Sequence, residues 1–180
     1  QPPWLAQIDR PLVLVTTSSE FQDDGRLVQT ALSALADLPV HVVATWPSGD
    51  PGQYDVPANA HVERFLSHGP ILERAVCAVT HGGMGATQKA LARGVPVCAV
   101  PFGRDQFEVA RRVEVARAGT RLPARRLSAE RLRSKVREAI EMRAGAQRVA
   151  AGYRRAGGSV AAADSVEARL LHVSRPASNW

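Results

Sequence analysis

The sequence predicts an α/β fold: a Rossmann-like parallel sheet with helices on both faces and a helical C-terminal third. Three observations point there. Short apolar runs alternate with segments of helical periodicity. The runs are continuous in Val, Ala and Leu, as strands buried on both faces require. The least ordinary residues follow directly after the runs, where parallel sheets place their ligands.

The first run, PLVLVTTSS (11–19), reads as a buried strand entering a polar turn, and DGRLVQTALSALADL (24–38) follows as a helix. Asp23 and Asp24 precede that helix and read as caps. PVHVVATW (39–46) is a second strand, PSGDPGQYDVPAN (47–59) a Pro- and Gly-rich loop and AHVERFL (60–66) a third strand. Residues 70–75 suit a short helix, AVCAVTH (75–81) a strand, MGATQKALARG (84–94) a helix stopped by Gly94, and VPVCAVP (95–101) a fifth strand. DQFEVARRVEVARAG (105–119) has helical spacing and ends in a glycine, and SAERLRSKVREAIEM (128–142) opens with a Ser cap. Two more helical stretches and a loose tail, 174–180, complete the chain.

With 180 residues, 45% of them hydrophobic and only 22% charged, the chain can bury one core, which excludes wholesale disorder. No apolar run reaches the roughly 18 to 20 residues that span a bilayer, and QPPWLAQIDRP lacks the pattern of a signal peptide. A soluble, cytoplasmic protein is expected. Cys77 and Cys98 lie within apolar runs and read as reduced core thiols. The formal charge of +6 comes from arginines scattered over several helices and interleaved with Glu114, Glu130 and Glu138, the look of solvated helix faces. Nucleic acid is not expected as a partner.

The sharpest local signal is THGGMGAT (80–87), a strand end followed by glycines and a helix start. A helix N-terminus offers unpaired N–H groups and about half a positive charge, and so binds phosphate. Gly82, Gly83 and Gly85 let the backbone approach an anion, and His81 could donate to the same group. The same residues also fit a plain tight turn with His81 as a satisfied core residue. The dinucleotide fingerprint GxGxxG is broken by Gln88, and GxxxxGK[ST] does not occur.

From Arg64 to Gln106 the chain reads RFLSHGPILERAVCAVTHGGMGATQKALARGVPVCAVPFGRDQ. In order and spacing this resembles the donor-site signature of glycosyltransferase family 1, the GT-B enzymes that include plant secondary-product and bacterial antibiotic glycosyltransferases. That signature runs from an aromatic and a Pro-Gln or Pro-His segment through a leucine, His-x-Gly, Gly-Val-Pro, Pro and Asp-Gln. The resemblance covers nearly the whole chain. It implies that Phe65 stacks on the nucleobase, that the Leu66 backbone bonds the base edge and that His68 lies near base or ribose. It further implies that His81 binds the diphosphate, that Gly83, Met84, Gly85 and Ala86 hold it through backbone amides, and that Ser19 contacts a phosphate. Asp105 and Gln106 would grip the donor sugar. Ser18, Ser67 and Phe65 replace the family's usual glycine, proline and tryptophan. Lys89 stands where a glutamate commonly binds the ribose hydroxyls; a cation cannot accept those bonds.

The resemblance implies an inverting, metal-independent displacement, with a UDP- or TDP-linked sugar as donor and no cofactor. A small-molecule or glycolipid acceptor, and the histidine base that activates its hydroxyl, would belong to an N-terminal domain. Residues 1–10 then read as the remnant of an interdomain linker, 11–173 as the donor domain and 174–180 as a flexible tail. His41, His61 and His172 read as structural or surface residues. Non-catalytic nucleotide-sugar binding, a sugar-nucleotide epimerase and a lipid-intermediate glycosyltransferase remain as alternatives.

Overall fold

The computed structural model of the chain describes residues 2–19 and 24–173, with side chains as far as Leu170. The expectations for Asp23, the His172 side chain and the 174–180 tail lie outside the described residues. Six strands, β1 (Leu12–Thr16), β2 (His41–Thr45), β3 (Ala60–Glu63), β4 (Ala75–Thr80), β5 (Val97–Ala99) and β6 (Gly119–Arg121), form one sheet in the order β3-β2-β1-β4-β5-β6. Every neighbouring pair is parallel. This is the doubly wound order, in which the chain reverses direction across the sheet between β1 and β4 and leaves a crevice beyond their carboxyl ends.

Burial follows from the strand period of two. On β1, Val13 and Val15 join Leu27, Val28 and Leu32 of α1 (Gly25–Leu35) and Leu132 and Val136 of α5 (Ala129–Glu141) on one face. Leu12 and Leu14 pack on the other, with α2 (His68–Leu72), α3 (Met84–Ala92), α4 (Gln106–Val115) and α6 (Arg143–Ala156). A final helix, α7 (Gly158–Val173), leaves α6 through two left-handed glycines, Gly157 and Gly158, and is largely exposed. Helices on both faces and a helical final third match the expected class.

Local expectations hold at several ends. Gly94 is left-handed just past α3, and the Ser128 hydroxyl accepts from Arg131 N at 3.3 Å at the start of α5. Asp24 precedes α1 but makes no side-chain cap; its carboxylate accepts from Ser18 N at 2.6 Å and holds the β1 turn instead. The short helix begins at His68, two residues before the expected start, and ends at Leu72. The sixth strand is a correction, because Gly119, read as a helix end, opens β6. The helix stops at Val115, and a Cβ at 119 would stand 1.8 Å from the Val97 carbonyl oxygen on β5, so only glycine lets the two strands pair.

The N-terminal segment packs on the sheet: Leu5 is buried, and Arg74 donates to the Leu5 carbonyl at 2.7 Å and to that of Ile8. Trp4 stacks on His61 at 4.0 Å, and His61 Nδ1 meets His41 Nε2 at 2.8 Å. Both histidines thus serve structure at the amino ends of β2 and β3. Cys77 and Cys98 are buried free thiols, and burial pushes both pKa values up. Among the described residues no helix is long and apolar enough to cross a membrane.

Candidate functional site

A cavity of about 750 Å³ opens beyond the carboxyl ends of β1, β2 and β4 and runs between α2 and α3. Ser19, Phe65, Leu66, His68, His81, Gly83, Gly85, Ala86 and Lys89 all line it. Met84, Asp105 and Gln106 do not. The topology makes this meeting inevitable: β1 and β4 are neighbours in the sheet, and their following turns diverge to opposite faces, leaving the gap into which both turns look.

The β4–α3 turn is held from within. Thr80 Oγ1 accepts from Gly82 N at 3.1 Å and meets Thr87 Oγ1 at 3.4 Å. Gly82 is left-handed, with φ of 86°. A Cβ on Gly83 would lie 2.3 Å from His81 Nε2. The first helical bond runs from Thr87 N to the Gly83 carbonyl, so the amides of Met84, Gly85 and Ala86 precede any acceptor the helix itself supplies. No acidic residue sits in that first turn to spend its positive end, and a side chain on Gly85 would enter open space.

His81 is 9% exposed, and among the described residues its Nδ1 has no hydrogen-bond partner. Burial lowers its pKa; the charge of Asp24, the Thr16 backbone and Asp105 act in the opposite sense but weigh less. The ring is therefore neutral near pH 7, with hydrogen-bonding capacity unspent at the foot of a helix.

On the β1 side, the Thr17 amide and hydroxyl both donate to the Thr45 carbonyl at 3.3 Å, and Ser19 reaches the rim. At the far end, His68 Nε2 lies 3.0 Å from Thr45 Oγ1. Burial first and the Lys89 charge second hold the His68 pKa down. Phe65 is 81% exposed on the rim, whereas Leu66 is half-buried against the core. Lys89 and Arg93 follow one another along α3, and Arg93 Nη1 donates to the Lys89 carbonyl at 3.3 Å. Among the described residues, two cations and no carboxylate line the cavity.

Asp105 is the residue before α4, and its charge is felt at His81. Gln106 departs from expectation. It is 2% exposed, and its carboxamide oxygen accepts from Phe102 N at 2.8 Å and Gly103 N at 3.0 Å. That oxygen shapes the loop presenting Asp105 and is not offered to a ligand. Sequence reasoning missed Thr45 and Arg93. Thr45 ends a strand, the place where ligands gather, and Arg93 lies four residues after Lys89 on the same helix face; both signals were present.

A family model described as erythromycin biosynthesis protein CIII-like, C-terminal domain, matches residues 29–157. The chain belongs to this family. The chain is 40% identical over 143 residues to the 4'-demethylrebeccamycin synthase of Lentzea aerocolonigenes, covering 78% of the chain and 34% of that protein. The crystal structure of CalG4, the calicheamicin glycosyltransferase, superposes with a TM-score of 0.86 at 30% identity, over 97% of this chain and 46% of CalG4. The glycosyltransferase VinC, solved in complex with DTDP, has a TM-score of 0.73 at 27% identity over 85% and 40% of the respective chains. The chain thus spans about a third of the length of the curated relatives it matches, and its sheet is one Rossmann-like half of a GT-B fold. Among the described residues no group of three or more His, Cys, Asp or Glu is arranged to hold a metal.

Proposed function

We propose that this chain, over residues 11–173, is the donor-binding half of an inverting glycosyltransferase. It takes a UDP- or TDP-linked sugar, which is passed to a hydroxyl of a small lipophilic or natural-product acceptor. One observation carries the reading: a cavity at the topological switch point ends on the unspent start of α3, beside a buried, neutral His81 whose Nδ1 has no partner among the described residues. A diphosphate satisfies both. The amides of Gly83, Met84, Gly85 and Ala86 and the Ser19 hydroxyl hold its oxygens, and His81 adds one hydrogen bond.

The remaining cavity sorts the rest of the donor. Phe65 gives the base an apolar face, the Leu66 backbone meets its edge, and His68 and Lys89 lie by the ribose. Asp105, brought close to His81 but outside the cavity proper, receives the sugar hydroxyls; Gln106 supports it through the 102–103 loop. When the acceptor hydroxyl attacks the anomeric carbon, negative charge builds on the leaving diphosphate. The helix start and His81 are already oriented toward it, which is electrostatic preorganisation. Acceptor contacts and the base that removes its proton belong, in this reading, to a second domain. The solved glycosyltransferases it resembles, one of them in complex with DTDP, support the reading. The cytoplasm suits two buried thiols that stay reduced.

Titrating UDP, TDP and GDP, and their sugar conjugates, against thermal unfolding tests this directly, since a ligand bound only by the folded state raises the apparent Tm. At least one diphosphate is expected to raise it in proportion to concentration; no shift with any of them overturns the reading.

A further inference from the structure

Asp24 stands immediately ahead of α1, where a carboxylate ordinarily caps the helix, yet its side chain makes no cap among the described residues. Its backbone, with φ of −93° and ψ of 2°, is not in the extended conformation from which a capping side chain reaches back over the first turn. The carboxylate turns instead to the end of β1, where Oδ2 accepts from Ser18 N at 2.6 Å. The direction of this bond is fixed, because a backbone N–H only donates. It is also of the strong, charge-assisted kind. Asp24 is 1% exposed, so the bond is shielded from water.

Two aromatic side chains hold the next residue in place. The Tyr54 hydroxyl donates to the Gly25 carbonyl at 2.8 Å, and a Cβ on Gly25 would stand 2.6 Å from Cζ2 of the Trp46 ring. Burial first and the Asp24 charge second push the Tyr54 hydroxyl up to about 12, so it keeps its proton near pH 7. The carboxylate is thus set from the α1 side, and it sets the β1 side in turn.

Ser18 and Ser19 both line the cavity, whereas Asp24 does not. The turn that carries them is pinned twice, by the Thr17 amide on the Thr45 carbonyl and by the Ser18 amide on Asp24. With those two amides engaged, the turn offers a ligand the residue that follows, Ser19, on the exposed rim. His81, at the foot of α3, lies close enough to feel the Asp24 charge, which works against the lowering of its pKa by burial.

We propose that Asp24 is a positioning residue: through the Ser18 amide it fixes the turn after β1 so that Ser19 meets the diphosphate opposite the start of α3. It touches no ligand itself. This rests on the nucleotide reading above and assigns what holds one wall of its phosphate end.

The test is calorimetry with inorganic pyrophosphate, UDP and TDP on the parent, Asp24→Asn and Asp24→Ala. Both variants remove the charge, and only asparagine keeps an oxygen for the Ser18 amide, so the ratio between them reads the hydrogen bond apart from the charge. Asp24→Ala should bind all three ligands about three- to tenfold more weakly than Asp24→Asn, the weight of one hydrogen bond. Ser19→Ala should weaken pyrophosphate binding in the Asp24→Asn background and add little in the Asp24→Ala background, a coupling that a merely structural role would not produce. If Asp24→Ala does not fold, Asp24→Leu, which keeps the branched shape without an acceptor, takes its place. Equal affinities in the asparagine and apolar variants overturn the proposal, as does a Ser19→Ala loss of the same size in both backgrounds. A parent that binds none of the three ligands overturns the nucleotide reading and this inference together, and is recognised before any variant is compared.

Discussion

His81 Nε2 lies 2.3 Å from the point where a Cβ on Gly83 would stand, so the ring can occupy its place only because residue 83 is glycine. His81→Ala should weaken nucleoside diphosphate binding by roughly 1 to 3 kcal/mol, one hydrogen bond to a charged group. Gly83→Ala should cost at least as much, because it displaces the ring and the start of α3 together. In the His81→Ala background the alanine at 83 has room and should add little. Calorimetry on the two single variants and the double variant decides it: additive losses would mean that ring and glycine act independently.

Asp105 sits one residue ahead of α4, outside the cavity but close enough for its charge to reach His81. Asp105→Ala should leave the affinity for a free nucleoside diphosphate nearly unchanged and reduce that for the sugar conjugate, since only the conjugate extends past the phosphates. Equal losses for the two ligands, measured side by side, would assign Asp105 to the phosphates or the fold.

The His41–His61 pair predicts a pH dependence of stability. Burial first, then the charges of His61 and Arg10, hold His41 at about 4, against 6.5 in the unfolded chain. The unfolded state therefore binds more protons between these values. The stabilisation is complete above pH 6.5 and is lost as pH falls from 6.5 toward 4. His68 and His81, also lowered by burial, act in the same sense. Urea unfolding across that window should show a falling midpoint, with a shallower fall in His41→Gln; an identical slope in the variant would remove His41 from the account.

At β6 the prediction concerns folding. Gly119→Ala places a Cβ against the Val97 carbonyl, 1.8 Å away on the central side of the pair, where backbone must yield. A destabilisation of about 2 to 4 kcal/mol is expected from such overpacking. Denaturant titration giving a loss under about 1 kcal/mol would show that the β5–β6 edge rearranges freely.

That strand marks where the sequence stops being readable. The other five strands announce themselves because each lies in a run rich in apolar residues, and β1, β2, β4 and β5 are buried along nearly their whole length. Gly119–Arg121 has no such run, being an edge of three residues whose one distinctive feature, a glycine, serves a contact with β5 and looks like a helix stop. The same limit applies to the site. Ser19, Phe65, His68, His81 and Lys89 lie after strands or on one helix face, and the topology alone brings them to one cavity. The Thr45–His68 bond spans 23 positions and depends on where α2 starts; the burial of Gln106 depends on how the 102–103 loop folds back. Neither has a periodicity to betray it.

Lys89 carries the last prediction. It lines the cavity from the exposed side of α3, and its charge lowers the His68 pKa, which sets it beside His68; in the proposed donor pose that is the nucleoside end. A carboxylate there could accept from both ribose hydroxyls; an ammonium only donates. The advantage of UDP, whose ribose carries a 2′-hydroxyl, over TDP, whose deoxyribose lacks it, should therefore be absent, and the chain should bind TDP at least as well as UDP. Lys89→Glu restores the acceptor and should move the ratio toward UDP by up to one hydrogen bond, about 1 kcal/mol. The same exchange replaces a cation by an anion beside His68, so the His68 pKa should rise, an independent sign that the side chain acts at this place. An exposed lysine without a role would give no change in either quantity. Titrating both nucleotides into parent and variant, with the His68 resonance followed by NMR, separates these outcomes. Strong UDP selectivity in the parent, or an unmoved ratio in the variant, would refute the assignment.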